Sequence, residues 1–432
     1  MLFKDITILD EDFEVRKHMY VGVTEDKITY IGESMPSKDY GEVYEGRSKL
    51  LMPGFFNIHA HSPMVLMRGY GEDMMLQDWL TKKIFPFEEH LTGKNVYAGT
   101  LLAMAESVKN GIVSTSDMYY LCEDMIRAVD DAGSKVNISR AITNFQDIGL
   151  METQAGPEMK YLFENYNGAC DGRVTVEMSL HAEYTNTEKS TRQLAELTKK
   201  LGAGMHVHVS ETLKEVKECK ERHQGRTPVR YLADMGIFDM RTVAAHCVHL
   251  EDDDFEILND KNVNVASNVI SNLKLASGVC NIPKLLRNGI NVGIGTDSVA
   301  SNNNLDFLEE IKIFAMAPKM YYNSPSEITV KEVIRSATLS GALAQGRYDT
   351  GAIKEGMKAD LVIIDTSECH MHPVHNLLAN LVYSASGSDV RMTMVDGRIL
   401  YENGEFKTID IEKAIFEVEK ETGKILSKLK VR

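Results

Sequence analysis

The sequence predicts an α/β fold: a parallel (β/α)8 barrel of TIM type with a small β-sandwich formed from both termini. Eight short apolar runs alternate with longer amphipathic stretches through the middle of the chain. Both ends instead alternate apolar and polar residues with period two, the pattern of half-buried strands. No glycine-rich phosphate loop follows the first run, which argues against the rival doubly wound open sheet.

Taken in order, DITILD, HMYVGVTEDKITYIGES and KLLMPGF read as strands joined by short polar turns, so residues 1–52 are expected to supply the first part of the sandwich. The barrel is expected within residues 53–350. Its strands are FFNIHAH (55–61), GIVSTSDMY (111–119), VNISRAI (136–142), RVTVEMSLH (173–181), GMHVHVSE (204–211), TVAAHCVHL (242–250), VNVASN (263–268) and INVGIGTDS (290–298). Helical patterns such as YAGTLLAMAESVKN and RQLAELTKKLG lie between them. Strand texture returns in MKADLVIIDT and VRMTMVDGRILYENGEF, so residues 351–432 are expected to complete the sandwich and add a terminal helix. In that last stretch, 409–430, Ile411, Ile415, Val418 and Ile425 recur at roughly helical intervals and mark a surface helix docked by its apolar face.

Composition narrows the function. Of 432 residues, 43% are hydrophobic, ample for a core, and the net charge is −15. So acidic a chain has no electrostatic footprint for nucleic acid or an anionic membrane, although a nucleotide-like small molecule held by hydrogen bonds and stacking remains open. No apolar run approaches the ~18 residues of a membrane span. The first residues, MLFKDITILDEDFE, carry acidic groups where a secretory leader would carry its apolar stretch. The six cysteines are scattered without a CxxC pair, as expected of reduced thiols; the expected compartment is the cytoplasm.

The histidines carry the chemistry. Thirteen in this length give about 0.4 His-x-His triplets by chance, and there are three: His59/His61, His206/His208 and His370/His372. The first closes barrel strand one and the second closes strand five. Residues i and i+2 of a strand share a face, so each pair presents two imidazoles together where TIM-type barrels collect their active-site groups. Either pair alone could be a hydrogen-bonded core feature; two at equivalent strand ends point to a metal. His246 closes strand six and Asp297 follows strand eight, while Glu211 stands just past His208, able to face a metal without ligating it. Three histidines and one carboxylate make a mononuclear N3O site with room for water, whose pKa the metal lowers toward ~7. A separate acid such as Glu211 can then protonate the electrophile. That is a hydrolase constellation. The third pair, in CHMHPVHN (369–376), reads as a solvated loop with adventitious metal affinity.

These residues resemble the amidohydrolase superfamily, whose first-strand motif PGFxxxHxH matches PGFFNIHAH (53–61) and whose late pattern GxIxxGxxADLVxxD matches GAIKEGMKADLVIID (351–365). HVHVSET (206–212), AAHCVHL (244–250), SNLKLASG (271–278) and GTDSVASNNNLD (295–306) resemble blocks of its methylthioadenosine/S-adenosylhomocysteine deaminase group. The resemblance covers nearly the whole chain. It implies a distorted (β/α)8 barrel with a terminal sandwich, and a hydrolytic deaminase acting on the 6-amino group of an adenine nucleoside. His59, His61, His208 and Asp297 would hold one divalent metal ion, zinc in first place and iron in second. Strand four ends in His181 rather than the lysine that bridges two metals in binuclear relatives. Glu211 would protonate the purine ring, His246 and Asp297 would orient the hydroxide, and Asp297 would carry its proton to ammonia. In DWLTKKIFPFEEHLT (78–92), which resembles the group's long loop after strand one, Trp79 would pack on the substrate and Glu88 would bind the ribose hydroxyls; His181 would contact the purine. Without the resemblance, Trp79 reads as a hydrophobic anchor and Glu88 as a solvated helix charge.

The chain departs from the group's pattern in places. The stretch 143–168 has no arginine to grip a homocysteine carboxylate, and Arg140 loosely matches an arginine that reaches a neighbouring subunit. This favours adenosine, 5′-deoxyadenosine or 5′-methylthioadenosine over S-adenosylhomocysteine. Ser298 stands where the group commonly has glycine. Family likeness suggests a homo-oligomer, dimer or tetramer, acting on a small-molecule nucleoside. The alternatives are an amidohydrolase for another aminated heterocycle (guanine, cytosine, pterin or triazine) and a non-catalytic assembly protein on the same fold; the latter typically loses ligands that this chain keeps.

Overall fold

A computed structural model describes residues 1–429; Lys430 of the expected terminal helix and the last two residues of the 351–432 segment lie outside the described residues. Among the described residues the strands form two sheets. The larger body is a barrel of eight parallel strands in sequential order: Phe55–Ala60, Ile112–Tyr119, Lys135–Ile142, Val174–Ala182, Met205–Val209, Thr242–His246, Asn264–Ser267 and Val292–Ile294. Each falls within or against its expected run. Helices such as Gly93–Lys109 and Glu188–Leu201 alternate with them, as the 3.6-residue periodicity predicts.

The eighth strand meets the first through a single bridge, Ala60 with Asp297, where the Asp297 N–H donates to the His59 carbonyl at 2.9 Å. The ring therefore closes at its C-terminal end, the end where side chains from different strands converge on an active site in this architecture.

The segment after the first strand is not a loop. Leu76–Trp79, Leu80–Ile84 and Phe85–Glu88 run on as one helical stretch whose middle five residues form a π-turn, an irregularity common beside functional sites.

The second sheet takes strands from both ends of the chain. Its hydrogen-bonded path runs from Glu405–Phe406 through Arg398–Glu402, Val390–Val395, Leu361–Asp365, Lys49–Pro53, Leu2–Leu9 and Val15–Thr24 to Lys27–Gly32, with Val43–Glu45 beside the Leu2–Leu9 strand. The ends meet where Lys49–Pro53 pairs antiparallel with Leu361–Asp365. These strands enclose an apolar core of their own, including Phe3, Ile6, Val21, Leu51, Ile363 and Met394, separate from the barrel's.

A buried ion cluster joins the two bodies. Lys135, at the start of the third barrel strand, pairs with Asp360 and with Asp396 at 2.8 Å. Asp360 also accepts from the Thr350 hydroxyl at 2.7 Å and the Asp396 N–H at 2.8 Å. Lysine pulls its carboxyl below the usual range although burial opposes this. Asp360→Ala removes an ion pair and two further hydrogen bonds but leaves Lys135 its contact with Asp396, so it should cost about 2–3 kcal/mol in denaturant unfolding. A loss below about 1 kcal/mol would show the cluster to be dispensable.

The terminal helix, Ile411–Leu429, docks as expected through Ile411, Val418 and Ile425, with Ile415 alone turned away. Ala414, Val418, Glu421 and Ile425 are its buried positions, and Ile415 is 43% exposed. Successive steps of three and four keep 414, 418, 421 and 425 on one face, and Ile415 turns about 100° away from Ala414.

Candidate active site

Each strand end delivers one part of a compact polar cluster. Strand one is inward-facing at His59 and His61, and the next sheet position is occupied by Gly295. A Cβ there would come within 2.8 Å of the His59 Cβ, so glycine is what allows the eighth strand to pass. Ser210, His246, Cys247 and Asp297 all adopt left-handed backbone conformations (φ 51°, 75°, 48° and 58°). Such conformations are uncommon for non-glycine residues and cluster at functional sites. Here they turn the chain sharply at the ends of strands five, six and eight.

Three imidazoles are fixed from behind. The His61 Nδ1–H donates to the Met118 carbonyl at 2.5 Å and the His208 Nδ1–H to the His181 carbonyl at 2.6 Å. A carbonyl can only accept, so both rings carry hydrogen on Nδ1 and present Nε2 lone pairs inward. The His59 Nδ1 lies 2.9 Å from the His206 Nε2, and its own Nε2 is fully buried and makes no well-formed hydrogen bond. The ligand atoms of His59, His61 and His208 lie within 4.8 Å of one another, as do those of His59, His246 and Asp297. Asp297 Oδ1 stands 3.5 Å from His59 Nε2 and 3.3 Å from His61 Nε2, and Oδ2 accepts from Ser271 Oγ at 2.6 Å. Lone pairs from three imidazoles and one carboxylate converging in a buried pocket, with outer partners behind them, are a donor set that fits a divalent cation.

The electrostatics agree. Burial holds His59 and His208 well below the usual histidine range, leaving both neutral and ready to ligate. Burial alone would push Asp297 upward, but its contacts with His59 and His61 hold it well below the usual carboxylate range. Glu211 behaves oppositely: burial first, then the charge of Asp297, push it up to about 8. Two carboxyl groups in one pocket are thus held in different protonation states, the pattern of an acid and a base with separate tasks. His246 Nδ1 lies 2.9 Å from the Asn272 amide nitrogen and 3.2 Å from that of Asn268; its Nε2 faces Glu211 Oε2 at 3.8 Å.

A deep cavity of about 80 Å³ opens over this cluster. His61, His208, Glu211, His246 and Asp297 form its floor, with Trp79, Glu88, Tyr119 and His181 around it. Glu88 is no solvated charge: burial raises it to about 7, and Tyr119 OH donates to its Oε1 at 2.7 Å. His181 is pushed down to about 4 by burial and lies 3.2 Å from the Thr185 hydroxyl. Leu80, Phe85, Tyr120, His181 and Tyr184 are shared with an adjoining cavity of about 380 Å³ that also touches Gln77, Thr143 and Phe145.

Arg140 is absent from both linings; its Nε donates to Glu158 at 2.7 Å and its guanidinium lies over the Tyr120 ring. Ser298 lines the deep cavity and caps the Val299–Asn302 turn. His370, His372 and His375 are exposed, and His370 bonds Asp389 at 2.9 Å. Glu183, Cys219 and His223 also cluster, but Arg222 and His223 already occupy both Glu183 oxygens, at 2.7 and 2.6 Å.

With this geometry established, comparison with known proteins is direct. Residues 50–400 match the model of the amidohydrolase family. The chain belongs to the amidohydrolase family. It is 42% identical over 422 residues to a 5-methylthioadenosine/S-adenosylhomocysteine deaminase from Caldanaerobacter subterraneus subsp. tengcongensis, covering 97% of each chain. It is 39% identical over 414 residues to a 5′-deoxyadenosine deaminase from Methanosarcina acetivorans, covering 95% of this chain and 94% of that one. Among solved structures it resembles an adenosine deaminase from Xanthomonas campestris with bound zinc, at a TM-score of 0.92 and 26% identity, over 99% of this chain and 98% of the other.

Several residues shape this amidohydrolase's site by holding its groups from behind: His206, Asn268, Asn272, Ser271 and Tyr119. All fall in runs or blocks quoted from the sequence, but only His206 stood out there individually, as the inner member of a His-x-His pair. The same face holds both its imidazoles, but His206 lies one layer deeper and meets His59 rather than the cavity.

Proposed function

We propose that this amidohydrolase is a metal-dependent hydrolytic deaminase of adenine nucleosides, replacing the 6-amino group with oxygen and releasing ammonia. The observation that carries the reading is the Glu211 carboxyl facing the cavity beside the clustered ligand atoms of His59, His61, His208 and Asp297, with burial raising Glu211 and the histidines holding Asp297 low. The deaminases among its relatives support the substrate class. His59, His61, His208 and Asp297 would hold one divalent ion, zinc ahead of iron, which when bound supplies Lewis acidity and brings the pKa of a water toward ~7. Glu211 gives its proton to the ring nitrogen beside C6 as the C–O bond forms, so that charge does not build on the ring. His246 aligns the attacking oxygen with its Nε2 edge. Asp297 takes one of the water's protons and passes it to the departing amine, and the proton left on the new C6 oxygen returns to Glu211 as C6=O forms, so one water is consumed and one ammonia leaves.

Substrate contacts follow from the cavity walls. Trp79 offers a flat apolar surface for the nucleoside, His181 a neutral imidazole for the purine, and Glu88 an acceptor for vicinal ribose hydroxyls, with Tyr119 holding its other oxygen. The adjoining cavity would receive the 5′ group. Among the described residues its lining has no lysine or arginine, and Leu80, Phe85 and Phe145 make it partly apolar. A methylthio or hydrogen substituent suits it better than a zwitterionic homocysteine, whose carboxylate would lose water without gaining a partner.

The test is ammonia release by metal-loaded enzyme on adenosine, 5′-deoxyadenosine, 5′-methylthioadenosine, S-adenosylhomocysteine, guanine and cytosine. Turnover of the three small nucleosides with weak activity on S-adenosylhomocysteine is expected. Activity on free bases alone would replace the nucleoside reading. Glu88→Ala should raise KM for nucleosides about tenfold to hundredfold, since a hydrogen bond to a charged group is lost; an unchanged KM would remove the ribose assignment.

A further inference from the structure

Glu215 lies outside the cavity, in the first turn of the helix Leu213–Arg222, yet it is 6% exposed and both its oxygens are engaged. Oε1 accepts from the Ser210 N–H at 2.8 Å and Oε2 from the Glu211 N–H at 2.7 Å. Ser210 is one of the left-handed residues, so this carboxylate pins the turn that aims Glu211. The same peptide continues the connection. The Ser210 carbonyl accepts from the N–H groups of Val248 and His249 at 3.1 and 2.9 Å, immediately after the left-handed pair His246 and Cys247. His249 Nε2 donates to the Ser277 carbonyl at 2.6 Å, and the Ser277 hydroxyl donates to Glu211 Oε1 at 3.3 Å. The loop of hydrogen bonds is closed: it starts at the Glu211 backbone and returns to the Glu211 carboxyl, passing the turn that carries His246.

We propose that Glu215 is a positioning residue for the deamination, fixing the Glu211 carboxyl against His246 through the Ser210 peptide. This rests on the proposed function, in which Glu211 is the proton donor. Capping one helix would require only the single N–H acceptance common in a first turn; spanning two consecutive N–H groups of a strained turn, and through it a second strand end, does more. An acid displaced by even a fraction of an ångström loses proton-transfer efficiency without losing substrate affinity.

Glu215→Gln keeps the side-chain size and one accepting oxygen but turns an N–H donor toward the second backbone N–H. It is expected to lower kcat about tenfold to hundredfold, with KM within about threefold and metal content unchanged. A nucleoside analogue with a tetrahedral, hydroxyl-bearing C6 should lose affinity in parallel with kcat/KM, a readout that a merely structural role would not move. Glu215→Ala should lose more; if it fails to fold, the glutamine variant decides alone. A Glu215→Gln enzyme with kcat within twofold of wild type, or one whose kcat falls only in proportion to its folded fraction, would overturn the inference while the proposed function stood. Wild-type enzyme inactive on every nucleoside would overturn both.

Discussion

Glu211→Gln is expected to lower kcat for an adenine nucleoside by about 10²- to 10⁴-fold while leaving the bound metal in place. The carboxyl lies beside the ligand cluster but makes its contacts to Ser277 and His246, so removing its proton should not loosen the ligands. The wild-type pH profile supplies the second half of the expectation. Burial, aided by the charge of Asp297, raises Glu211 to about 8, so the group is protonated and competent below that pH and loses its proton above it. Wild-type kcat should therefore descend as pH rises through about 8, and this limb should vanish from the residual activity of the glutamine variant. A variant that retained the same alkaline limb would assign it to another group and remove Glu211 as the acid.

Asp297→Asn should have an effect at least as large, for a different reason. Its Oδ1 faces two imidazole nitrogens, and Ser271 and Ser301 donate to Oδ2 at 2.6 and 3.2 Å. The amide keeps the shape but loses the negative charge, and with it both the attraction for a cation and the site for a water proton. Metal content after dialysis against a chelator should fall well below one per chain, and kcat should fall by about 10³-fold or more even with excess metal. Full occupancy with kcat within about tenfold of wild type would show that Asp297 neither ligates nor carries the proton.

Much of this site was legible because barrel geometry converts strand ends into neighbours. His59, His61, His208, His246 and Asp297 lie far apart in the chain, yet each ends a recognisable apolar run, and the fold has one place where such ends meet. What the sequence could not display depends on contacts between runs. Glu88 looked like a helix charge because nothing local foretells that Tyr119 will bury and bond it. Glu215 drew no reading from the sequence, because its role depends on the left-handed Ser210, which brings two backbone N–H groups to its carboxylate. Segment 78–92 reads as a loop only through the family resemblance, and the structure runs residues 76–88 as one helical stretch through a π-turn. Periodicity found most of the terminal helix's docking stripe but misplaced Ile415 on it. Ile415 is apolar, but a buried Glu421 that accepts from the Asn95 amide and pairs with Lys94 set the contact face.

The shared sheet has a consequence for biosynthesis. Lys49–Pro53 leaves the ribosome early, but its antiparallel neighbour, Leu361–Asp365, is translated only after the whole barrel. At about 5–20 residues per second the earlier strand waits roughly fifteen seconds to a minute for its mate. Throughout that interval Leu51, which ends fully buried, has only the first strand for company, and the edge of Lys49–Pro53 offers unpaired peptide groups to any other nascent chain. Partnerships this distant along the chain also slow folding itself. The protein is thus most open to aggregation while still being made, and slower translation or chaperone cover over that span should affect its yield more than its final stability.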